Sequence, residues 1–304
     1  MLMNFEEDVI EKVRNEFLVG REEEKSFSYV GLEIKQREDG VITLDQNKYA
    51  TNMTTIEISK SRCLAKNDEL TEKERTEMRS KIGQILWVAR QTRPDVMFDA
   101  TYLSGRVKSA KVKDILEVNN VVKRLKTDRL TLKFQKLKGE LGLILYSDSS
   151  LGNLRDGGSQ GGQLLCLRGD GDQINPLWWS SKKIRRVVRS SLAGETLALS
   201  DGIDMSIFIA TLFTEIEKGQ ADAEKLPVTC RIDCRSLFDA LKSTKETSEK
   251  RLRLEISSVK QQIERGFITN IEWVKAESQL ADSLTKKGAS CLKMMRCLDV
   301  GSLQ

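Results

Sequence analysis

The sequence predicts an α/β protein with two regions: a smaller α+β region over residues 1–137 and a mixed five-stranded sheet flanked by helices over residues 138–304. Two observations support this fold class. The second region alternates strands with helices in the order βββ-α-β-α-α-β-α, and strands joined through helices run parallel to each other. The first region contains a hairpin followed by helices. We place the boundary near residues 136–142, where charge and glycine cluster.

The first region begins with a predicted β-hairpin over residues 27–46, FSYVGLEIKQREDGVITLDQ. Apolar residues alternate with polar ones along it, and the Asp39-Gly40 pair is typical of a hairpin turn. An apolar stripe behind a charged segment then predicts a helix over about residues 71–91. Further helices are predicted over 95–108 and 111–126.

The second region contains five predicted strands. A strand over 141–149 is followed by two short-looped neighbours, which favours antiparallel pairing and places this first strand in the centre of the sheet. The strands are predicted over 141–149, 161–169, 176–181, 228–234 and 270–275, and the helices over 190–216, 236–243 and 249–266, with a last helix opening at QLADSLTKKG.

The composition is that of an ordinary globular chain, with 304 residues, 39% hydrophobic and 31% charged, and a net charge of +5 that suits an anionic partner. We expect neither a transmembrane helix, because no run of about 18 apolar residues is evident, nor a signal peptide, because the first residues are acidic. Six cysteines without a CxxC pair indicate reduced thiols rather than structural zinc. The absence of histidine excludes Ser-His-Asp and Cys-His catalysis.

Four carboxylates occur where predicted elements begin or end. Asp148 lies in the strand ILYSDSS, Glu195 one turn into a long helix, Asp233 at the end of a strand, and Asp282 at the start of the last helix. An ionised carboxylate in a dry strand needs a salt-bridge partner or a metal ion. Four converging carboxylates would repel one another, and Mg²⁺ or Mn²⁺ would remove that conflict. Two such ions, about 3.5–4 Å apart, promote phosphodiester cleavage.

The alternative for each of these acids is structural, because an Asp that ends a strand is usually a cap or turn residue. Asp201 and Asp204 share the long helix with Glu195, but their offsets turn them away from its face, so we expect them to face solvent. A basic run precedes that helix in SSKKIRRVVRSS. It could be a solvated surface, but beside a metal–carboxylate centre it indicates phosphate binding; its residues are Lys182, Lys183, Arg185, Arg186 and Arg189.

The order of these segments resembles the RNase H domain of copia-type LTR retrotransposon Pol polyproteins. That family shows, in order, segments like YSDADW, WSSKKQ…SSTEAEY, CDNQSA and QLADILTK. The matching segments here are YSDSS, WWSSKKIRRVVRSSLAGETLALS, IDCRSLFDAL and WVKAESQLADSLTK. In the first region, YVGLEIKQREDGVITLDQNKYA and TRPDVMFDATYLS are similar to the thumb and connection that follow the polymerase palm, so the resemblance covers nearly the whole chain.

The resemblance implies an RNase H-like sheet in which Asp148, Glu195, Asp233 and Asp282 form an acidic tetrad. Such a tetrad binds two Mg²⁺ ions and hydrolyses the RNA strand of an RNA–DNA hybrid, leaving a 5′-phosphate and a 3′-hydroxyl. SSLAGET lacks the extra acid of SSTEAEY, and ESQLAD lacks the histidine that many cellular RNases H carry in this loop. The family's polymerase needs a YxDD motif, but this sequence contains no Asp-Asp pair. We therefore expect the chain to begin after that motif and not to polymerise alone.

Two other functions remain open at this stage. The chain could be a catalytically inactive or co-opted transposon product that binds nucleic acid without cutting it. Another nuclease or an integrase of similar fold agrees less well with the acid order D…E…D…D. The expected partners are the RNA–DNA hybrid and the polymerase palm region or other Pol products, with no membrane. The expected location is a reducing intracellular one, in cytoplasmic virus-like particles or the nucleus.

Overall fold

A computed structural model describes residues 7–18, 20, 22–244 and 249–303 of the chain. Within these residues, the polypeptide forms two sheets and a set of helices. The helices are α1 (Glu7–Glu16), α2 (Asn47–Asn52), α3 (Lys60–Leu64), α4 (Glu72–Gln91), α5 (Met97–Ser104), α6 (Val112–Thr127), α7 (Ser191–Lys218), α8 (Arg235–Lys242), α9 (Arg253–Glu264) and α10 (Leu292–Val300). The strands are β1 (Ser26–Tyr29), β2 (Leu32–Gln36), β3 (Ile42–Asp45), β4 (Leu132–Phe134), β5 (Gly142–Ser150), β6 (Gln160–Arg168), β7 (Ile174–Lys183), β8 (Val228–Ile232) and β9 (Ile268–Trp273).

The predicted hairpin of the first region is strands β2 and β3, joined through Asp39-Gly40. Gly40 has a φ of 81°, which a residue with a side chain rarely adopts, and Asp39 accepts a hydrogen bond from the amide of Val41. The first arm of the predicted hairpin is divided by a turn at Val30-Gly31 into β1 and β2, and the sheet gains β4, which the sequence did not reveal. β1 pairs with β2, and the short β4 pairs with β3, giving four antiparallel strands.

The helices of the first region begin and end close to their predicted bounds. Helix α4 starts with a capping box, in which Thr71 and Glu74 each bond the other's backbone amide. The predicted helix over 95–108 is a short 3₁₀ turn from Pro94 to Val96 followed by α5, and the predicted helix over 111–126 is α6. These helices bury a common apolar core.

The second region forms a five-stranded mixed sheet in the order β7-β6-β5-β8-β9. Strand β5 is central: it pairs antiparallel with β6 and parallel with β8, as predicted. Helix α7 packs directly on β5. Gly202 makes this approach tolerable, because a Cβ at that position would lie 2.9 Å from the Leu145 side chain. The mixed five-stranded sheet with flanking helices predicted from the sequence is confirmed.

The two faces of the sheet are covered by different parts of the chain. Alternate residues of β5 point to opposite faces: Leu143 and Leu145 pack in the core under α7, whereas Ile144 and Tyr146 share a core with the first-region helices. Strand β7 contains the adjacent tryptophans Trp178 and Trp179. Trp179 is buried in that shared core, and its indole donates a hydrogen bond to the Ala89 carbonyl at 2.7 Å. The domain boundary near residue 137 stays a prediction, and one apolar core extends across it.

Helix α7 is long and apolar enough, by length and composition alone, to cross a membrane, which the sequence inspection did not predict. In the fold, 44% of the qualifying stretch is buried. One side of the helix lies against β5 and β6. Core packing therefore accounts for much of its apolar composition.

Candidate active site

Asp148 lies on the central strand β5 and is 1% exposed. Its Oδ2 accepts a hydrogen bond from the Thr285 hydroxyl and lies 3.6 Å from the ammonium group of Lys286. No other described residue donates a hydrogen bond to its side chain. The partner residue on β6 is Gly162, where a Cβ would lie 2.7 Å from Leu284 and Thr285, so the glycine lets this loop approach Asp148. The carboxylate is thus buried with one oxygen engaged.

Glu195 projects from the first turns of α7 and is 6% exposed. Ser190 caps the helix by accepting a hydrogen bond from the Ala193 amide. The Oε1 atom of Glu195 accepts hydrogen bonds from the Ser149 amide at 3.1 Å and the Ser149 hydroxyl at 3.0 Å. Gly194 allows this contact, because a Cβ there would lie 2.7 Å from the Ser149 hydroxyl oxygen. The Oε2 atom is buried and has no hydrogen-bond partner.

Asp233 follows strand β8, whose register pairs Arg231 with Tyr146 of β5. Because β5 and β8 are parallel, two further residues along each strand bring Asp233 beside Asp148. The Trp273 indole donates a hydrogen bond to the Asp233 main-chain oxygen at 2.9 Å and fixes the strand end. Carboxylate oxygens of Asp148, Glu195 and Asp233 all lie within 4.8 Å of one another. Three of the four predicted acids therefore converge.

Burial and mutual repulsion dominate the electrostatics of this group. Burial, together with the charges of Asp148 and Asp233, raises the pKa of Glu195 to about 8. Burial raises the pKa of Asp148 to about 6, against the opposing effects of Lys286 and Thr285. The pKa of Asp233 is also raised, mainly by burial. Without a cation, the burial of these acids therefore opposes their ionisation, most strongly at Glu195.

Asp282 is not one of the three acids that meet within 4.8 Å. The prediction that it opens the last helix is wrong: it lies in a 3₁₀ turn from Asp282 to Leu284, and α10 begins only at Leu292. Gly288, with a φ of 75°, lies in the connection between them. The Asp282 carboxylate instead accepts a hydrogen bond from Lys286, the same lysine that lies near Asp148. Asp282 thus borders the group through Lys286.

The predicted basic run lies at the end of β7 and in the loop before α7, and all five side chains are exposed. Two of them are already paired, Lys183 with Asp156 and Arg186 with Glu255. Part of the run lines a cavity of about 670 Å³ with residues of α7. Its basic lining residues are Lys182, Lys183, Arg185 and Arg186. The expected solvent exposure of Asp201 and Asp204 is observed, and both line this cavity.

Sequence reasoning missed Ser149, Thr285 and Lys286, which hold the acids in place. Their only available signal is proximity, since Ser149 adjoins Asp148, and Lys286 lies one helical turn's spacing after Asp282. Neighbouring hydroxyls and lysines are too common in sequences to indicate such contacts. Within the described ranges, the acids Asp148, Glu195 and Asp233 are the single group of three or more residues that could hold a metal ion.

Comparison with known proteins identifies transposon relatives, while no protein-family model matches the chain. A putative transposon Ty5-1 protein from Saccharomyces cerevisiae is 28% identical over 173 residues, covering 53% of this chain and 54% of the relative. The retrovirus-related Pol polyprotein from transposon RE1 of Arabidopsis thaliana is 25% identical over 293 residues, covering 92% of this chain and 19% of the relative. The chain thus spans about half of the first relative's length and about a fifth of the second's.

Solved structures give matches of low overall similarity. RNase H1 from the archaeon Halobacterium salinarum has 18% identity and a TM-score of 0.34, covering 47% of this chain and 93% of that one. A foamy viral protease-reverse transcriptase in complex with RNA/DNA hybrid has 11% identity and a TM-score of 0.42, covering 83% of this chain and 29% of that one. The homologues of the chain are Ty5/copia-type Pol polyproteins from transposons, in agreement with the resemblance in the sequence.

Proposed function

We propose that this chain is a metal-dependent ribonuclease H that hydrolyses the RNA strand of RNA–DNA hybrids as part of a transposon reverse transcriptase. The proposal depends mainly on one observation: carboxylate oxygens of Asp148, Glu195 and Asp233 lie within 4.8 Å of one another, near the C-terminal ends of strands β5 and β8. Each acid comes from a different element of the fold, so tertiary structure alone assembles the group. Pol polyprotein relatives supply the biological setting.

The donor set fits hard divalent cations. All the converging ligand atoms are carboxylate oxygens, which suit Mg²⁺ or Mn²⁺. The Oε2 atom of Glu195 is buried without a hydrogen-bond partner, an expensive arrangement that a cation would relieve. We infer that Asp148, Glu195 and Asp233 hold the metal, with Asp282 as an additional ligand at its border. The chemistry that two such ions would supply there is activation of a water and stabilisation of charge at the scissile phosphate.

The surrounding residues prepare the acids for this role. Ser149 orients Glu195 through its amide and hydroxyl, leaving Oε2 available. Thr285 orients Asp148, and the Trp273 indole holds the backbone of Asp233. These contacts keep the carboxylates close together despite their mutual repulsion, so little reorganisation is needed when metal binds.

The basic run from Lys182 to Arg189 supports binding of a phosphate backbone next to the acids. It leads directly into α7, the helix that carries Glu195. Arg185 and Arg189 make no ion pair with another described residue and are exposed, so both are available to phosphates. We infer that the hybrid lies along this run. The polymerase palm region and other Pol products are further proposed partners.

A labelled RNA–DNA hybrid incubated with the full chain tests the proposal. In Mg²⁺ or Mn²⁺ we expect shortened RNA products with an intact DNA strand, and in EDTA we expect no cleavage. Products with 5′-phosphate ends would agree with hydrolysis by a metal-activated water. Hybrid binding without any cleavage in either metal would overturn the proposal in favour of an inactive nucleic-acid-binding protein.

A further inference from the structure

Lys286 supplies the positive charge next to the four acids Asp148, Glu195, Asp233 and Asp282. Among the ion pairs of the described residues, it alone reaches any of the four acids: its ammonium group hydrogen-bonds Asp282 and lies 3.6 Å from Asp148. Its side chain is 44% exposed, so the ammonium group bridges the acids from the solvent side. The positive charge of Lys286 therefore lies between the carboxylates of Asp148 and Asp282.

The two sides of Asp148 differ in consequence. Its Oδ2 atom is engaged by Thr285 and Lys286. Glu195 and Asp233, the acids that approach it within 4.8 Å, have no ion-pair partner among the described residues, and the buried Oε2 of Glu195 lacks any hydrogen bond. Lys286 thus lies within ion-pair distance of Asp148 and Asp282, whereas Glu195 and Asp233 have no positively charged group at that distance among the described residues.

We propose that Lys286 is a positioning residue that takes the place of one divalent ion between Asp148 and Asp282 and competes with that ion for the two carboxylates. The inference depends on the proposed function, since it assumes that the acids bind metal. Asp148, Glu195 and Asp233 would hold a first ion while the Lys286 ammonium group stays in place. For Asp148 and Asp282 to hold a second ion, the Lys286 ammonium group would have to move away from them.

The side chain is suited to such an exchange. A lysine ammonium is a compact charge on a flexible stem, and its exposed part leaves room to move into solvent. The backbone beside it is held in place, because the Thr285 main-chain oxygen accepts hydrogen bonds from the Ser150 hydroxyl and the Asn153 amide, each at 2.7 Å. The ammonium group of Lys286 can therefore leave while the loop stays in place.

Calorimetric titration of the full chain with Mn²⁺, without nucleic acid, tests the exchange. Removing the competing charge in Lys286→Gln is expected to tighten the second, weaker binding step by about tenfold, because a unit charge within about 4 Å of the ligands opposes the incoming ion. Lys286→Arg keeps the charge and is expected to bind the second ion as weakly as the unmodified chain. Lys287→Gln is the matched control, since Lys287 contacts Glu117 rather than the acids, and it should leave both steps unchanged.

The outcomes separate this inference from the proposed function. If the unmodified chain binds no Mn²⁺, the metal-dependent function is overturned. If it binds Mn²⁺ and Lys286→Gln binds it with the same affinities, only the exchange is overturned. A thermal melt gives a second readout: in EDTA, Lys286→Gln is expected to melt at a lower temperature than the unmodified chain, and Mn²⁺ is expected to raise its melting temperature by more. An equal metal-induced shift in both proteins would also contradict the exchange.

Discussion

Buried acids have opposite surroundings in the two regions of this protein. In the first region, Asp95 is held by Arg93 through two hydrogen bonds of 2.8 Å, and both side chains are at most 2% exposed. Asp114 is likewise paired with Arg106. In the second region, the buried acids face one another. The contrast indicates that the first set serves the fold, while the second keeps a charge conflict that the proposed divalent cation would relieve.

Neutralising a buried acid is expected to change the free energy of unfolding in opposite directions in the two regions. A buried acid with a bidentate arginine has its charge compensated, so losing either partner leaves an unpaired charge in the core. A buried acid among other acids is already uncompensated, so neutralising it relieves repulsion. A functional role is therefore expected for Asp148 and Glu195, whose mutual repulsion lowers the free energy of unfolding, and not for Asp95.

The largest expected effect is the loss of hydrolysis in Asp148→Asn. The amide keeps the size of the side chain but removes the charge at the centre of the acidic group, so we expect cleavage of a labelled hybrid to fall by at least about a thousandfold. Hybrid binding, measured by fluorescence anisotropy, should remain close to that of the unmodified chain.

The matched control is Glu217→Gln, which neutralises an exposed acid at the far end of the helix that carries Glu195. We expect its cleavage rate to be unchanged. If Asp148→Asn cleaved the hybrid at the full rate, Asp148 would not belong to the proposed site. The buried acids of the second region would then not differ in function from those of the first.

A large loss of stability is expected in Asp95→Asn. The change leaves the Arg93 guanidinium charged and unpaired in the core, which is expected to cost about 3–5 kcal/mol in the free energy of unfolding. Urea denaturation followed by circular dichroism would measure it. In EDTA at pH 8, Glu195→Gln is expected to have the opposite effect and to raise the free energy of unfolding. A similar loss in both variants would abolish the contrast between the regions.

The pH dependence of stability sharpens the same comparison. In the folded chain, Glu195 has a pKa of about 8 and Asp148 one of about 6, whereas the same groups in the unfolded chain titrate near their ordinary values. Between these values the folded state holds more protons than the unfolded state. Without metal, the free energy of unfolding should therefore fall as pH rises from about 5 to about 8, by on the order of 2–4 kcal/mol.

Urea denaturation in EDTA at several pH values would measure this slope. Glu195→Gln removes the larger of the two shifts and is expected to flatten it. Saturating Mg²⁺ should flatten it as well, because the bound ion compensates the ionised acids. A slope that is unaffected by Glu195→Gln would mean that other groups cause the pH dependence.

The smallest expected effect concerns the basic run. Because Lys183 and Arg186 already have acidic partners, their replacement by Ala should weaken hybrid binding less than replacement of Arg185 and Arg189. For Arg185→Ala combined with Arg189→Ala, we expect the dependence of log affinity on log salt concentration to become shallower by about 2. Anisotropy titrations at several salt concentrations would measure both pairs. Equal slopes in all variants would return the run to the role of a solvated surface.

Much of the fold could be predicted because its elements have local signals. The Asp39-Gly40 turn, the apolar stripe of α4 and the short-looped strands β5 to β7 are all visible in the order of residues, and the structure confirms them. Strand β4 was missed because three residues carry too little pattern. The last helix was misplaced because Asp282 has the sequence context of a helix start, while its segment instead packs as a 3₁₀ turn against the sheet.

By itself, the sequence determined which chemistry is available: the absence of histidine excludes Ser-His-Asp and Cys-His catalysis, and the ordered acids indicated which carboxylates to examine. Only the tertiary structure decided that Asp148, Glu195 and Asp233 meet within 4.8 Å, while Asp282 reaches them through Lys286. The physical reason is the distance along the sequence over which each signal acts. Hydrophobic periodicity and turn residues act over a few positions, whereas the spacing of these acids depends on strand register and on the close approach that Gly162 and Gly194 permit.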